Sequence, residues 1–221
     1  IVIKELLEVF HERWKNVDRK TAEVANQNFD FENKIILLHG EDINIQSLID
    51  ILIVNQKKFS VIQLVSMQAK FGKKQATALA AKGIDVKVID DAGLGKFLPT
   101  IDIILLGCDI IMHETFISKS GAHLIAAAAK YYKIPVFVLA DSRKILNKKY
   151  FPQSVLGTLI GKEEKPSDGI WKNPPQNIEV VFNHIEEVPN KLINKFILEK
   201  EALTPHELIE KVDKVLVTNF F

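Results

Sequence analysis

The chain has 221 residues, 29 Lys and Arg against 28 Asp and Glu, a net charge of +1 and 47% hydrophobic residues. That is a globular composition, so disordered and fibrous classes are excluded, as is a nucleic-acid binder driven by bulk charge. One cysteine, Cys108, excludes an internal disulfide and a multi-thiolate metal site, and makes the cytoplasm the expected compartment.

Residues 1–28 read as helix, with Val2, Leu6, Leu7, Val9 and Phe10 at helical spacing and Lys4, Glu5, Glu8 and Glu12 elsewhere. A second helical piece is expected over 21–27. This charged start shows no signal peptide. The chain opens at Ile1 inside amphipathic sequence, so a preceding segment is expected. No stretch approaches the roughly 20 apolar residues of a spanning helix, and no membrane contact is expected.

From Asn33 the pattern changes to short apolar runs at 35–38, 61–65, 86–89, 103–106 and 136–139, with a weaker sixth at 178–182. Most are near-continuous, as in strands covered on both faces. Between them lie helical stretches at 43–54, 73–82 and 121–132 and a short one at 94–98. The rhythm predicts an α/β fold: a Rossmann-like open parallel sheet with helices on both faces, preceded by a short helical segment. The expected division is 1–32, helical, and 33–221, Rossmann-like. Residues 151–177, with four prolines and three glycines, read as a long irregular loop, either solvent-exposed or a lid or partner contact, that Trp171 would anchor. In the tail, Leu192, Ile193, Phe196 and Ile197 read as an amphipathic turn or two. Thr204, Pro205 and Glu207 read as a capping-box helix start, with the helix running to about 215. Residues 215–221 are apolar enough to dock on another surface.

Open parallel sheets place ligands beyond the carboxyl ends of their strands. Those ends carry His39, Gly40, Glu41 and Asp42; Ser66, Met67, Gln68 and Lys70; Asp90 and Asp91; Gly107, Cys108 and Asp109; and Asp141, Ser142, Arg143 and Lys144. Gly40, Gly72 and Gly107 would permit close backbone approach. The candidate ligand-binding set is His39, Gly40, Ser66, Gly107, Ser118, Lys119, Gly121 and Asp141. Asp109, directly ending a buried strand, is either a general acid/base with a pKa raised by burial or a cap of loop amides. Cys108, next to a carboxylate, reads as a buried packing residue. Ser118, Lys119, Ser120 and Gly121 before an apolar helix either hold an anion on free N–H groups or cap the helix. No His-based zinc motif, dinucleotide loop, P-loop or nucleophile elbow occurs, so no metal and no cofactor are expected.

Residues 35–41 (IILLHGE), 82–92 (KGIDVKVIDDA), 102–109 (DIILLGCD), 119–140 (KSGAHLIAAAAKYYKIPVFVLA), 188–193 (VPNKLI) and 197–199 (ILE) occur in a familiar order. Together they resemble the translation initiation factor 2B alpha/beta/delta family, which also contains methylthioribose-1-phosphate isomerase and ribose-1,5-bisphosphate isomerase. The similarity spans about 33–210. It implies a helical N-terminal domain, here reduced to a remnant, and dimers formed largely through the C-terminal domain. The family's strand-end aspartate falls on Asp109, and its anion-handling segment on Ser118, Lys119, Ser120, Gly121 and Ala122. Its fifth-strand segment falls on Ile134, Pro135, Val136, Phe137 and Val138. The isomerases' catalytic cysteine falls on Gly40. The arginine of the second-strand turn is absent from Val65, Ser66, Met67 and Gln68. Nothing in 1–28 matches their phosphate loop. The resemblance therefore implies a non-catalytic subunit that retains a sugar-phosphate or nucleotide pocket and acts through protein contacts. Its partners would be other initiation-factor subunits or a second copy, with no direct nucleic-acid contact. The alternative is an aldose–ketose isomerase of a ribose 1-phosphate derivative, with Asp109 as acid/base, His39 or Cys108 as its partner and Lys119 on the phosphate.

Overall fold

The computed structural model describes residues 2–66, 71–147, 170–171, 173–181 and 183–214. Helix α1 is Val2–Asn28, one continuous element where two pieces were expected. Strand β1 (Lys34–His39) follows, then α2 (Ile43–Val54), β2 (Phe59–Leu64), α3 (Phe71–Ala81) and β3 (Asp85–Ile89). Next come β4 (Ile103–Gly107), β5 (Ile110–Ile111), β6 (Thr115–Lys119), α4 (Ala122–Tyr132) and β7 (Val136–Leu139). The described chain ends with β8 (Ile185–Pro189), β9 (Lys195–Ile197), β10 (Ala202–Leu203) and a last helix, here α5 (Pro205–Lys214).

Seven strands form the main sheet in the order β10-β9-β7-β4-β1-β2-β3. All its pairs are parallel except β10 on β9. The near-continuous apolar runs have their expected cause, because both faces are covered. One face packs Ile36, Leu38, Ile103 and Leu105 under α1 and α2. The other packs Leu37, Ile104 and Leu106 with Ile125 and Ala126 of α4 and Leu208 and Val212 of α5. A second, antiparallel sheet, β5-β6-β8, forms beside the carboxyl end of β4.

Several expectations are corrected. Residues 178–181 form no strand, and the sixth main-sheet strand is β9. Phe196 and Ile197, expected in an amphipathic turn, are fully buried strand residues of β9. Three residues are too few to show a period. The short helix at 94–98 is instead two 3-10 turns, Asp91–Lys96 and Leu98–Thr100. Trp171 is 46% exposed. Most of the 151–177 loop and all of 215–221 lie outside the described residues.

The capping box of α5 forms as expected. Thr204 N–H donates to Glu207 Oε2 at 2.6 Å, and Glu207 N–H donates to Thr204 Oγ1 at 3.3 Å. Two free helix donors are thereby satisfied.

Candidate functional site

The strand order fixes where a site belongs. From β1 the chain crosses to β2 on one side; from β4 it proceeds to β7 on the other. The crevice between the carboxyl ends of β1 and β4 is the topological switch point, the usual ligand position in open α/β sheets.

Asp42 lies at the centre. It is the N-cap of α2, accepting from Asn44 N–H at 2.9 Å and Ile45 N–H at 3.3 Å. Burial pushes its carboxyl pKa up, against the pull of the Lys144 ammonium. Gly107 makes the approach feasible: a Cβ there would lie 2.4 Å from Asp42 Oδ2. Lys144 spans the crevice. Its Nζ donates to Cys108 O at 2.6 Å and lies 3.8 Å from Asp42 Oδ2. Neither Asp42 nor Lys144 stood in the candidate set. An Asp one residue ahead of an apolar helix was the available signal for the first.

Asp109 is corrected. Of its two readings, the acid/base with a pKa raised by burial is not met, because its side chain is 48% exposed and ion-pairs with Lys119 at 3.0 Å. β4 ends at Gly107 and the chain bends at Asp109. Cys108 turns into the core, 2% exposed, and Asp109 turns out. Burial pushes the Cys108 thiol up, far from the thiolate range.

His39 is 5% exposed, and burial lowers its pKa, favouring the neutral ring. Its Nε2 lies 2.9 Å from Ser120 O and its Nδ1 3.3 Å from Ser66 Oγ. A carbonyl only accepts, so Nε2 carries the proton and Nδ1 accepts from the hydroxyl. Both nitrogens are engaged. Gly121, with φ +104°, passes the ring closely enough that a Cβ would lie 3.3 Å from it. Gly40 holds φ +75° as the chain turns from β1.

The anion expected at the start of α4 belongs to the chain itself. Glu186 of β8 accepts from Gly121 N–H and His123 N–H, each at 2.8 Å. Neither Ser118 nor Ser120 caps the helix. Ser118 Oγ donates to Gly107 O at 2.8 Å, and Ser120 Oγ donates to Asn183 O at 2.7 Å. Glu186 was missed because only the β6–β8 pairing, Ser118 opposite Glu186, brings it there.

On the far side, Asp141 is buried and accepts from Arg143 Nε at 2.7 Å. The Arg143 guanidinium lies over the Trp14 ring of α1, 4.2 Å from its centroid. Asp18 of α1 is 9% exposed with no hydrogen bond or ion pair among the described residues. Burial raises its pKa, with Asp141 adding to the rise. Met67, Gln68 and Lys70 lie outside the described residues. The structure thus brings together Gly40, Gly107, Ser118, Lys119, Gly121, Ser66 and His39 around one end of the sheet. Asp141 stands across it beside Lys144. Lys74, Lys119, Arg143 and Lys144 each face a carboxylate of this chain, namely Glu41, Asp109, Asp141 and Asp42. No group of three His, Cys, Asp or Glu among the described residues is placed to hold a metal ion.

The sequence model of the Initiation factor 2 subunit family matches residues 2–205. The chain belongs to that family. It is 28% identical over 203 residues to translation initiation factor eIF2B subunit alpha of Dictyostelium discoideum, covering 89% of this chain and 63% of that protein. It is 30% identical over 145 residues to ribose 1,5-bisphosphate isomerase of Pyrococcus furiosus, covering 63% of this chain and 43% of the enzyme. The chain therefore spans less than two thirds of the length of either relative. The crystal structure of initiation factor eIF-2B subunit delta from A. fulgidus superposes with a TM-score of 0.79 at 20% identity, over 94% of this chain and 64% of that one. Methylthioribose 1-phosphate isomerase from Pyrococcus horikoshii superposes at 0.70 and 18%, over 91% and 58%. At such identities the superpositions establish the fold, which members of this family named as factors and as isomerases share. No helix among the described residues is long and apolar enough to cross a membrane.

Proposed function

We propose that the chain is a non-catalytic, factor 2B-type subunit that works through contacts with other initiation-factor subunits or a second copy, in the cytoplasm. The observation that carries this reading is the state of the crevice. An aldose–ketose isomerase must move a proton between adjacent carbons and hold a phosphate, which requires a free acid/base pair and free cations. Here both nitrogens of His39 are engaged, the Cys108 thiol is buried, and Lys119, Arg143 and Lys144 each face a carboxylate. Gly40 holds the place where the resemblance puts the isomerases' cysteine.

Purified chain is expected to give no turnover of ribose 1,5-bisphosphate or methylthioribose 1-phosphate above background in a product assay. Turnover at an ordinary enzyme rate, about 1 per second or more, overturns the reading.

A second reading has its own support in the 30% identity to ribose 1,5-bisphosphate isomerase. In it, the crevice keeps a phosphorylated sugar or nucleotide site at His39, Gly40, Ser66, Gly107, Ser118, Lys119, Gly121 and Asp141. In the isomerase form of that reading Asp109 acts as the acid/base. A phosphate would enter by opening the Lys119–Asp109 pair. Melting curves with sugar phosphates and nucleotides separate the two readings. A ligand held at one hundred times its Kd stabilises by about 2.7 kcal/mol, and no shift with any of them leaves protein contacts alone.

A further inference from the structure

The β3-to-β4 connection runs through two 3-10 turns in place of a crossover helix. Leu94 and Leu98 still reach the core. The turns are too short to roof the amino-terminal part of that sheet face. A groove of about 550 Å³ lies there, lined by Ile35, Ser60, Ile62, Val86, Phe97 and Thr100. It faces away from the switch point, so nothing in it depends on the function proposed above.

Three observations define what fits. The first is charge. Lys87 and Lys96 place their ammonium groups 5.5 and 5.9 Å from the Phe97 ring centroid. Neither has a carboxylate partner among the described residues, unlike Lys74, Lys119, Arg143 and Lys144 at the other end of the sheet. Asp85 is the one carboxylate lining the groove, which leaves an excess of one positive charge. The second is shape and polarity: an apolar floor with an aromatic wall takes a single apolar side chain. The third is the edge. β3 is the last strand of the sheet and pairs only with β2 among the described residues, and Lys87 and Val88 on it are exposed. An unpaired edge offers backbone donors and acceptors to an extended chain, whose alternate side chains then point to one face.

We propose that the β3 edge and the Phe97 groove form a docking site for an extended acidic segment of a partner protein. The segment adds to β3 as a strand. It seats one apolar side chain against Phe97 and sets the acidic side chains two positions to either side of it on Lys87 and Lys96.

The probe is a fluorescein-labelled peptide Glu-Thr-Glu-Thr-Phe-Thr-Glu-Thr-Glu, which in extended form sets the Phe and the acidic residues on one face, followed by anisotropy against the full chain. Its lysine counterpart, with every Glu replaced, is the control. The acidic peptide is expected to bind, to weaken with added salt, and to weaken about tenfold in the double variant K87E/K96E. D85N is expected to tighten it, and hydrogen exchange is expected to slow at the β3 amides of the complex. Both lysines are exposed, so an unchanged melting temperature certifies the folding of the double variant. Equal affinity of wild type and K87E/K96E, or equal binding of the lysine peptide, overturns the proposal. So does no peptide binding, including the case of a dimer that K87E/K96E dissolves, which assigns the groove to a second copy.

Discussion

Gly107→Ala is expected to destabilise the chain by about 2–3 kcal/mol, the range for forcing atoms into a filled site. In a domain of this size that lowers the melting temperature by roughly 5–10 °C. The added methyl would lie 2.4 Å from Asp42 Oδ2 and 2.7 Å from its Cβ. Asp42 has little room to retreat. Its carboxylate caps α2 through two N–H groups and faces Lys144. The cause is tested by a double-mutant cycle with Asp42→Gly, which removes the Oδ2, Cγ and Cβ atoms that the methyl would meet, while glycine remains a tolerable N-cap. The two changes should be non-additive, with the double variant more stable than the summed losses by at least about 1 kcal/mol. Strict additivity in urea unfolding would show that the strain lies elsewhere.

Asp18→Asn should act in the opposite direction and raise the melting temperature at pH 7.5 by about 3 °C. The groups that face Asp18 are Asp141, Arg143, Lys144 and Asp42. Burial and the neighbouring Asp141 hold its pKa above its ordinary 3.8. The folded chain therefore binds this proton more tightly than the unfolded chain. Between 3.8 and the raised value, stability contributed by this group falls as pH rises, and above that window the penalty is complete. The asparagine variant lacks the penalty, so its advantage should vanish as pH falls toward 4. Asp42 shifts in the same direction and persists in both proteins. His39 has the opposite sign. Its folded pKa is lowered from 6.5, so the unfolded chain takes up this proton first and stability falls as pH drops below 6.5. A gain for Asp18→Asn that is the same at pH 4 and pH 7.5 would contradict the assignment.

The parallel strands were legible because burial on both faces leaves near-continuous apolar runs. β1, β2, β4 and β7 each contain such a run; the edge strand β3 was legible only from a shorter run broken by Lys87, and most of it is exposed. β6 and β9 were not legible. The first alternates weakly, with Phe116 buried beside Ser118, and the second has three residues. A strand of that length is specified by its neighbours: Phe137, Val138 and Leu139 pair with Lys195, Phe196 and Ile197. The site divides in the same way. Gly107, Cys108 and the turn after β1 follow from strand ends alone. Asp18, Glu186 and Lys144 do not, because each acquires its role from a residue far along the chain. Thr21, one turn beyond Asp18, shows how α1 is fixed there, bonding Ala140 O at 3.3 Å across 119 residues. Asp109 shows the limit from the other side. Its position was read correctly, but whether a residue at a strand end turns in or out depends on where the pleat stops.

The single cysteine has a use beyond packing. Cys108 is 2% exposed at the end of β4, beneath the Lys144 bridge, and its thiol is held firmly protonated. A sulfur in that state is silent toward alkylating reagents until the strand ends part. The chain has no other thiol to compete for the reagent. The rate at which this one atom is labelled therefore counts openings of the crevice itself. The molecule carries its own clock for that motion, at the point where two halves of the sheet diverge.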